Sequence, residues 1–219
     1  MSESELYSDT QRAFQDQFDA RQLADAVAQI VAAEIGAEEQ GFIESRDFFF
    51  LSTVDASGHP TVSHKGGKPG FVVVADPRTI VFPSYDGNGM FLSMGNIADN
   101  AKIGLLFMDF ETPHRLRLRA SATVSVDDPL ADRFPGADLI VRATVEQIFI
   151  NCGRYIHRHT RNEPSRYVPD ATGAAPLPAW KRIDIFQSVL PARDQGRAEI
   201  EGGLLTFEEY AAKVAAGEP

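Results

Sequence analysis

The feature that most constrains the fold is a series of short β-rich segments between Phe48 and Ile150, joined by short polar turns. Segments such as "RLRLRASATVSV" alternate apolar and polar residues, and turns such as "DASGHP" and "DGNG" are rich in Gly, Pro, Asp and Asn. No long helical crossovers separate the segments, and parallel strands would need them. We therefore predict a mainly β domain with flanking helices (α+β), in which about six antiparallel strands form a closed or nearly closed barrel.

Helices are predicted on both sides of this series. Residues 19–35, with Asp19 as the N-cap, are expected to form a helix that packs an apolar face across the sheet, made of Leu23, Val27, Ile30, Val31 and Ile35. The segment "NCGRYIHRHT" predicts a short basic helix, and a Thr206-x-x-Glu209 capping box begins the last helix.

These elements predict one domain over residues 1–219. It consists of an N-terminal helical segment over 1–45, the barrel over 46–150, and a helix with an extended C-terminal segment over 151–219. The C-terminal segment is expected to pack on the barrel or on a partner.

Charge and composition narrow the class of protein. A net charge of −10 argues against binding to nucleic acid or to an anionic membrane surface, since both need a basic face. The chain has no apolar run near the ~18 residues needed to span a bilayer, and its first residues are acidic and polar, unlike a signal peptide. The lone Cys152 fits a reducing compartment. We expect a cytoplasmic protein.

Several common functional motifs are absent from the sequence. It has no CxxC, no HExxH and no histidine cluster, since its five His are scattered at 59, 64, 114, 157 and 159. It also lacks a GxSxG motif, a Walker loop and a GxGxxG after a strand. The segment "GGKPG" has the composition of a phosphate loop, but no helix follows it, so it is expected to be a hairpin turn.

Residues able to bind an anion lie near the ends of three predicted strands. They are Ser63, His64 and Lys65 on the first, Ser84, Tyr85 and Asn88 at the end of the second, and Arg115 and Arg117 on the third. Arg, Lys and hydroxyl groups are the usual partners of a phosphate. The alternative is that "RLRLR" is a solvated strand face and that Lys65 only flanks a turn. The residues alone predict a β-barrel with a possible anion site.

Three segments in this order resemble the pyridoxamine 5′-phosphate oxidase-like FMN-binding split-barrel family. They are "FFFLSTVDASGHPTVSHKGGKPGFV", "IVFPSYDGNGMFLSMGNIADNAKIGLLF" and "RLRLRASATV", within a resemblance that covers residues 40–190. A later segment, "VEQIFINCGRYIH", is similar to the flavin-binding branch of that family. The resemblance implies a six-stranded split barrel and a homodimer with two FMN sites between its subunits.

The resemblance also implies which residues contact FMN. The strand after "GHP" would line the flavin ring and phosphate, the next long strand would contribute its end, and "RLRLRA" would match the family's Arg-containing strand. The implied cofactor-binding residues are Ser63, His64, Lys65, Gly66, Pro83, Ser84, Tyr85, Asn88, Met90, Arg115 and Arg117.

The chain departs from the oxidase itself in two places. Gly87, Asn88 and Gly89 stand where the oxidase has a Ser-Arg-Lys phosphate grip, so the phosphate must be held differently, by Lys65, Arg115 or Arg117 with backbone N–H groups. The oxidase's C-terminal Trp and Arg pattern is not reproduced either, which argues against pyridoxamine phosphate as the substrate.

Residues after the barrel are predicted to reach the substrate side of the site or the partner subunit. They are Cys152, Arg154, Tyr155, Trp180 and Lys181. The alternative for Cys152 is a buried thiol that acts as a small hydrophobic side chain.

The expected function is that of an FMN-dependent oxidoreductase acting on a small organic substrate or a nicotinamide donor, without an identified catalytic acid or base. Two alternatives remain open at this point. One is a flavin-binding protein without turnover, such as a store or redox sensor. The other is a split barrel that binds a deazaflavin or haem, with His64, His114, His157 or His159 as the axial ligand.

Overall fold

A computed structural model describes residues 6–217 of the chain. The chain divides into two compact units, Met1–Asn162 and Glu163–Pro219. The expectation of a single domain over the whole chain stays a prediction, and each unit is described by itself.

The first unit contains a seven-stranded antiparallel sheet with flanking helices. Its described helices are α1 (Asp9–Gln17), α2 (Arg21–Ala28), α3 (Ala37–Ser45) and α4 (Leu92–Asp99). Its strands are β1 (Phe48–Val54), β2 (Pro60–Gly66), β3 (Val73–Asp76), β4 (Thr79–Tyr85), β5 (Lys102–Asp109), β6 (His114–Ser125) and β7 (Ala137–Asn151). The strands lie in the order β2-β1-β5-β6-β7-β4-β3. The mainly β, antiparallel fold is confirmed, with seven strands in the described residues where about six were predicted.

The sheet curls strongly on itself. Three strands separate β1 from β4, so a flat sheet would place them about 19 Å apart at ~4.8 Å per strand. Yet the ring centroids of Phe49 on β1 and Phe82 on β4 are only 5.0 Å apart. Strands β2 and β3 lie at the two edges and are each paired on one side only, which makes the sheet an open barrel. The hairpin turn predicted at "GGKPG" is therefore wrong, because the strands on either side of it do not pair with each other.

Phe49 lies at the centre of the core inside this curl. Its ring also packs on Phe107 of β5 and on Phe71 of the β2–β3 connection, at centroid distances of 5.1 and 5.8 Å. Phe49, Phe82 and Phe107 are fully buried. Burial of such a cluster supplies the free energy that holds the curled sheet together.

The predicted helix over residues 19–35 is wrong in its length and in its packing. Helix α2 ends at Ala28, and Asp19 is not its N-cap, because Ala20 precedes the first helical residue. Beyond the helix the chain extends so that Ala32 can exchange two backbone hydrogen bonds with Ile148 of β7, at 3.0 and 2.8 Å. Ile35 is buried as predicted and Val31 is half-buried, whereas the other large apolar side chains of this face are exposed, namely Leu23, Val27 and Ile30.

The basic helix predicted over "NCGRYIHRHT" is also absent. Strand β7 continues to Asn151, and residues 152–162 form neither helix nor strand. Gly153 presses against the turn between β5 and β6, where an added Cβ atom would lie 2.4 Å from the carbonyl oxygen of Pro113. The backbone N–H of His159 donates to the carbonyl oxygen of Phe110 at 3.1 Å. Tertiary contacts along the turn replace the local hydrogen bonds of a helix.

The second unit has a small core of its own. Its helices are α5 (Arg197–Ile200) and α6 (Phe207–Ala215). The predicted capping box of α6 is confirmed, since Thr206 Oγ1 accepts from the Glu209 N–H and Glu209 Oε2 accepts from the Thr206 N–H, at 3.2 and 2.7 Å. The buried apolar residues of this unit are Leu177, Ala179, Ile183, Leu190, Ala198 and Leu205.

The close contact at Gly67 predicts a loss of stability for Gly67→Ala. A Cβ atom there would lie 2.4 Å from Cγ of Phe71, so the ring that packs on Phe49 would have to move. We expect a decrease of about 1–3 kcal/mol in the free energy of unfolding, measured by urea titration. The matched control is Gly41→Ala in the middle of α3, where nothing lies within 4 Å and a gain of up to about 1 kcal/mol is expected. Equal effects of the two variants would contradict the packing described here.

Candidate functional site

Strand β2 divides the predicted anion-binding residues between the two faces of the sheet. Ser63 pairs with Leu51, and Lys65 pairs with Phe49, so both side chains point to the inner face, where the core lies. His64 pairs with Phe50 and points to the outer face. The three residues are therefore adjacent in sequence but do not share a site within one chain.

Helix α4 lies on the inner face and brings a second hydroxyl to Ser63. The Oγ atoms of Ser63 and Ser93 are 3.1 Å apart. One turn further along the helix, the Asn96 amide donates to Thr53 Oγ1 at 3.0 Å and to Thr61 Oγ1 at 3.4 Å. Thus Asn96 lies beside Thr61, and Ser93, nearer the start of the helix, lies beside Ser63. The next residue of β2 on the inner face is Lys65, which lies beyond the start of α4.

Lys65 is half-buried and has no hydrogen-bond or ion-pair partner among the described residues. Burial lowers the pKa of its ammonium group. A desolvated cation without a counterion costs free energy, which an anionic ligand would recover. Lys65 is thus a candidate anion-binding residue rather than a solvated residue beside a turn.

The start of α4 supplies further donors. Its first residue follows Phe91, which has φ 50° in the left-handed region, and no side chain caps the helix. The N–H groups of the first turn lack intrahelical partners and favour an anion. We define the inner cluster as Ser63, Lys65, Ser93 and the first turn of α4.

The end of β4 is connected to this helix by a short turn. Ser84 points to the inner face like Phe82, while Pro83 is buried on the opposite side of the strand. The register shifts at Tyr85, and burial raises the pKa of the Tyr85 hydroxyl. The exposed turn that follows contains Asn88, whose Oδ1 accepts from the N–H of Met90 at 3.1 Å. Only the turn of residues 86–91 separates Tyr85 from α4.

Arg115 and Arg117 lie on the outer face of the sheet, with Arg119 beside them. The row through Arg117 also contains His64 and Phe149, which confirms that these residues share one face. Arg117 packs over the Phe149 ring, with Cζ 5.7 Å from the centroid. We define the arginine stripe as Arg115, Arg117 and Arg119.

The arginine stripe lacks carboxylate partners among the described residues. Arg119 Nη1 donates to Gln147 Oε1 at 3.2 Å, whereas Nε of Arg115 is buried without a hydrogen-bond partner. Burial and the neighbouring charges of Arg115 and Arg119 lower the pKa of Arg117. Several other arginines of this acidic chain do pair with carboxylates, as Arg142 does with Asp128 at 2.9 Å. The stripe is therefore a second candidate anion-binding group, in which Arg117 and Arg119 are exposed to solvent.

Gly66, the predicted cofactor-binding glycine that ends β2, and its neighbour Gly67 have different surroundings. The space beside Gly67 is filled by the ring of Phe71, so this close approach serves core packing. A Cβ atom on Gly66 would lie 3.0 Å from Cε1 of His64. His64 itself stacks on Phe48, with ring centroids 5.5 Å apart.

Residues 152–155 are open to solvent rather than buried. Cys152 is exposed, so the alternative of a buried thiol is wrong. The backbone N–H of Arg154 lies 3.4 Å from Cys152 Sγ, and this hydrogen bond, helped by the Arg154 side chain, lowers the pKa of the thiol. Tyr155 is 87% exposed.

Trp180 and Lys181 lie in the second unit, and the Lys181 ammonium group has an internal partner. Lys181 is 2% exposed, and its Nζ lies 2.7 Å from Oδ2 of the buried Asp194. Trp180 is half-buried, with its ring 6.2 Å from that of Phe186. The pairing with a residue thirteen positions away gave no signal in the sequence.

Two residues of the site escaped prediction. Ser93 and Asn96 are the buried polar residues of α4. Their i, i+3 spacing in the otherwise apolar stretch "LSMGNIAD" places both on one helix face, and this is the signal that could have found them.

The described residues show neither a metal centre nor a membrane span. Residues 6–217 contain no group of three or more His, Cys, Asp or Glu residues placed to hold a metal ion. Within the same range, no helix is both long enough and apolar enough to cross a membrane.

A curled antiparallel sheet with flanking helices and a polar cluster beside β2 defines a split-barrel protein. The sequence model of the pyridoxamine 5′-phosphate oxidase family matches residues 35–166, more than half of the chain. This chain belongs to that family. No curated protein matches it.

The chain is similar to several solved structures, among them three bacterial proteins. HupZ from Group A Streptococcus is 22% identical, with 53% of this chain and 93% of that chain covered and a TM-score of 0.45. HutZ, the haem-storage protein from Vibrio cholerae, is 20% identical, with 53% and 94% covered and a TM-score of 0.40. An FMN-binding protein from Syntrophomonas wolfei is 11% identical, with 63% and 96% covered and a TM-score of 0.37.

The burial of Lys65 predicts that Lys65→Met stabilises the ligand-free protein at neutral pH. The pKa of Lys65 is lowered by folding, so the unfolded chain holds more protons between the folded pKa and about 10.5, and stability rises with pH across that window. We expect Lys65→Met to raise the free energy of unfolding by on the order of 1 kcal/mol at pH 7, with a gain that shrinks as the pH approaches about 10.5.

Urea titrations at several pH values would measure this effect. The exposed Lys68, in the turn after β2, provides the matched control, since Lys68→Met is expected to change stability by less than about 0.5 kcal/mol. A Lys65→Met protein less stable than the wild type at pH 7 would show that the ammonium group is favourably solvated or paired.

Proposed function

We propose that this protein is a homodimeric FMN-binding oxidoreductase whose flavin lies between two subunits. The observation that carries the proposal is the separation of two unneutralised cationic groups onto opposite faces of one sheet. Lys65 points inward with Ser63, whereas Arg115 and Arg117 point outward. One copy cannot direct both groups at one ligand, but a second copy can present its arginine stripe to the inner cluster of the first.

The chemistry of the inner cluster fits a phosphate monoester. A hydroxyl pair, an ammonium group and free helix N–H groups are standard phosphate donors. They replace the Ser-Arg-Lys sequence that is missing at Gly87, Asn88 and Gly89. The half-buried Tyr85 and Ser84 at the end of β4 supply polar and aromatic contacts for a ring system.

FMN, when bound, supplies hydride or electron transfer to a small substrate or from a nicotinamide donor. The residues of this chain bind and orient it. The arginine stripe would place positive charge beside the flavin and favour its reduced, anionic form. The substrate differs from pyridoxamine phosphate in this proposal, because the C-terminal residues of the oxidase are not reproduced.

Membership of the pyridoxamine 5′-phosphate oxidase family supports the choice of FMN over haem. Three of the four histidines considered as haem ligands pack their rings on phenylalanines in the structure. His64 lies against Phe48, His114 against Phe42, and His159 against Phe110, at centroid distances of 5.5, 4.7 and 5.3 Å.

The visible absorption spectrum of the protein, purified without added cofactor, tests the cofactor first. We expect a flavin spectrum and release of FMN on heating. A Soret band would show that the cofactor is haem rather than FMN. A colourless protein that also fails to bind added FMN would overturn the proposal. Reduction of the bound flavin by a nicotinamide donor separates an enzyme from a flavin store.

A subunit-mixing experiment tests the shared site. Lys65→Ala and Arg117→Gln are each expected to weaken FMN binding at least about tenfold, because each removes a charge-assisted contact. When the two variants are co-expressed, half of the dimers are mixed, and each mixed dimer contains one intact site. We therefore expect tight FMN binding to about a quarter of all sites.

The control for this experiment is Arg133→Gln, an exposed arginine in the connection between β6 and β7. It is expected to leave FMN binding unchanged. If co-expression restores no tight binding although both variants form dimers, the site belongs to one subunit and the shared arrangement is wrong.

A further inference from the structure

The inner cluster is supported by a buried polar network of Asn96, Thr53 and Thr61. None of these three residues is itself a candidate ligand contact. Asn96, on the buried face of α4, is 9% exposed, and Thr53, beneath the helix, is 1% exposed. The Oγ1 atoms of Thr53 and Thr61 are 2.7 Å apart, in a register pair that joins β1 to β2. The Asn96 amide reaches both hydroxyls and so connects the helix to the two strands.

The network and the Ser63–Ser93 pair together fix how α4 lies on β2. Ser93 and Asn96 are one helical turn apart, about 4.5 Å along the axis, and Ser63 and Thr61 are about 6.7 Å apart along the strand. Two contacts at different heights determine both the position of the helix along the strand and its tilt. Without the contact at Asn96, the Ser63–Ser93 pair would be the one polar contact left, and the apolar residues Met94 and Ile97 could not fix the tilt because apolar packing is not directional.

We infer that Asn96 is a positioning residue for the phosphate group of the flavin, acting through Thr53 and Thr61. This inference rests on the proposed function. Asn96 lies one turn inside the helix, while the donors toward the phosphate lie at its first turn and at Lys65. Asn96 therefore sets the position of the first turn of α4 along β2, relative to Ser63 and Lys65, without contacting the ligand.

Comparison of FMN with riboflavin, which lacks the phosphate, provides the readout. We expect Asn96→Ala to lower the affinity for FMN about tenfold, equivalent to one charge-assisted hydrogen bond. The affinity for riboflavin is expected to stay within about twofold, because the ring contacts lie elsewhere. The ratio of the two dissociation constants thus changes, which a purely structural role would not produce.

A second variant and a stability control complete the design. Thr53→Val preserves the shape of the side chain and removes the main acceptor of the Asn96 amide. It should change the ratio of the FMN and riboflavin dissociation constants as much as Asn96→Ala does. The double variant should lose no more than either single one, since both remove the same contact. Val141→Ala, in the core on β7, destabilises the fold away from α4 and should leave the ratio unchanged.

The outcomes separate this inference from the proposed function. Equal losses of FMN and riboflavin affinity in Asn96→Ala or Thr53→Val, or no loss of either, would overturn the positioning role while leaving flavin binding intact. A wild-type protein that binds FMN no better than riboflavin would overturn the phosphate assignment of the inner cluster. A wild-type protein that binds neither flavin would overturn the proposed function and this inference with it. If Asn96→Ala does not fold, the result for Thr53→Val alone tests the positioning role.

Discussion

The contact between Phe49 and Phe82 is the interaction on which the rest of the structure depends. It joins strands that are four positions apart in the sheet, at a centroid distance of 5.0 Å. A sheet held flat would leave its inner face open, and α4 would have no concave surface to cover. Once the sheet curls, α4 packs on its inner face against β1 and β6, and Ser93 in its first turn contacts Ser63 of β2. The polar residues there become partly desolvated. Packing of apolar rings thus creates the electrostatic environment of Lys65.

The alternation of side chains along β-strands then decides how the site is divided. Because successive residues point to opposite faces, Ser63 and Lys65 join the inner cluster while His64 joins the face of the arginine stripe. No rotation of side chains can undo this separation. A shared site between two copies is the simplest arrangement that uses both cationic groups, which is why the proposed dimer follows from the register rather than from an exposed apolar patch.

Several predictions made from local patterns were overturned by tertiary contacts. The helix predicted over residues 19–35 ends early because Ala32 pairs with Ile148, and the helix predicted after Asn151 gives way to contacts with Pro113 and Phe110. In both segments the apolar or basic periodicity was real, but a neighbouring strand or turn satisfied the backbone better than a local helix. The capping box at Thr206 was confirmed because its two hydrogen bonds are entirely local.

The sequence by itself determined the antiparallel character of the sheet, the approximate positions of its strands and the presence of cationic residues at their ends, because strand alternation and turn composition are local properties. It also identified the family, through the order of its motifs. Only the tertiary structure decided which residues share a face, that Lys65 lacks a counterion, and that Asn96 ties α4 to Thr53 and Thr61. These properties depend on register and on the curl of the sheet, which arise from contacts between residues far apart in the chain.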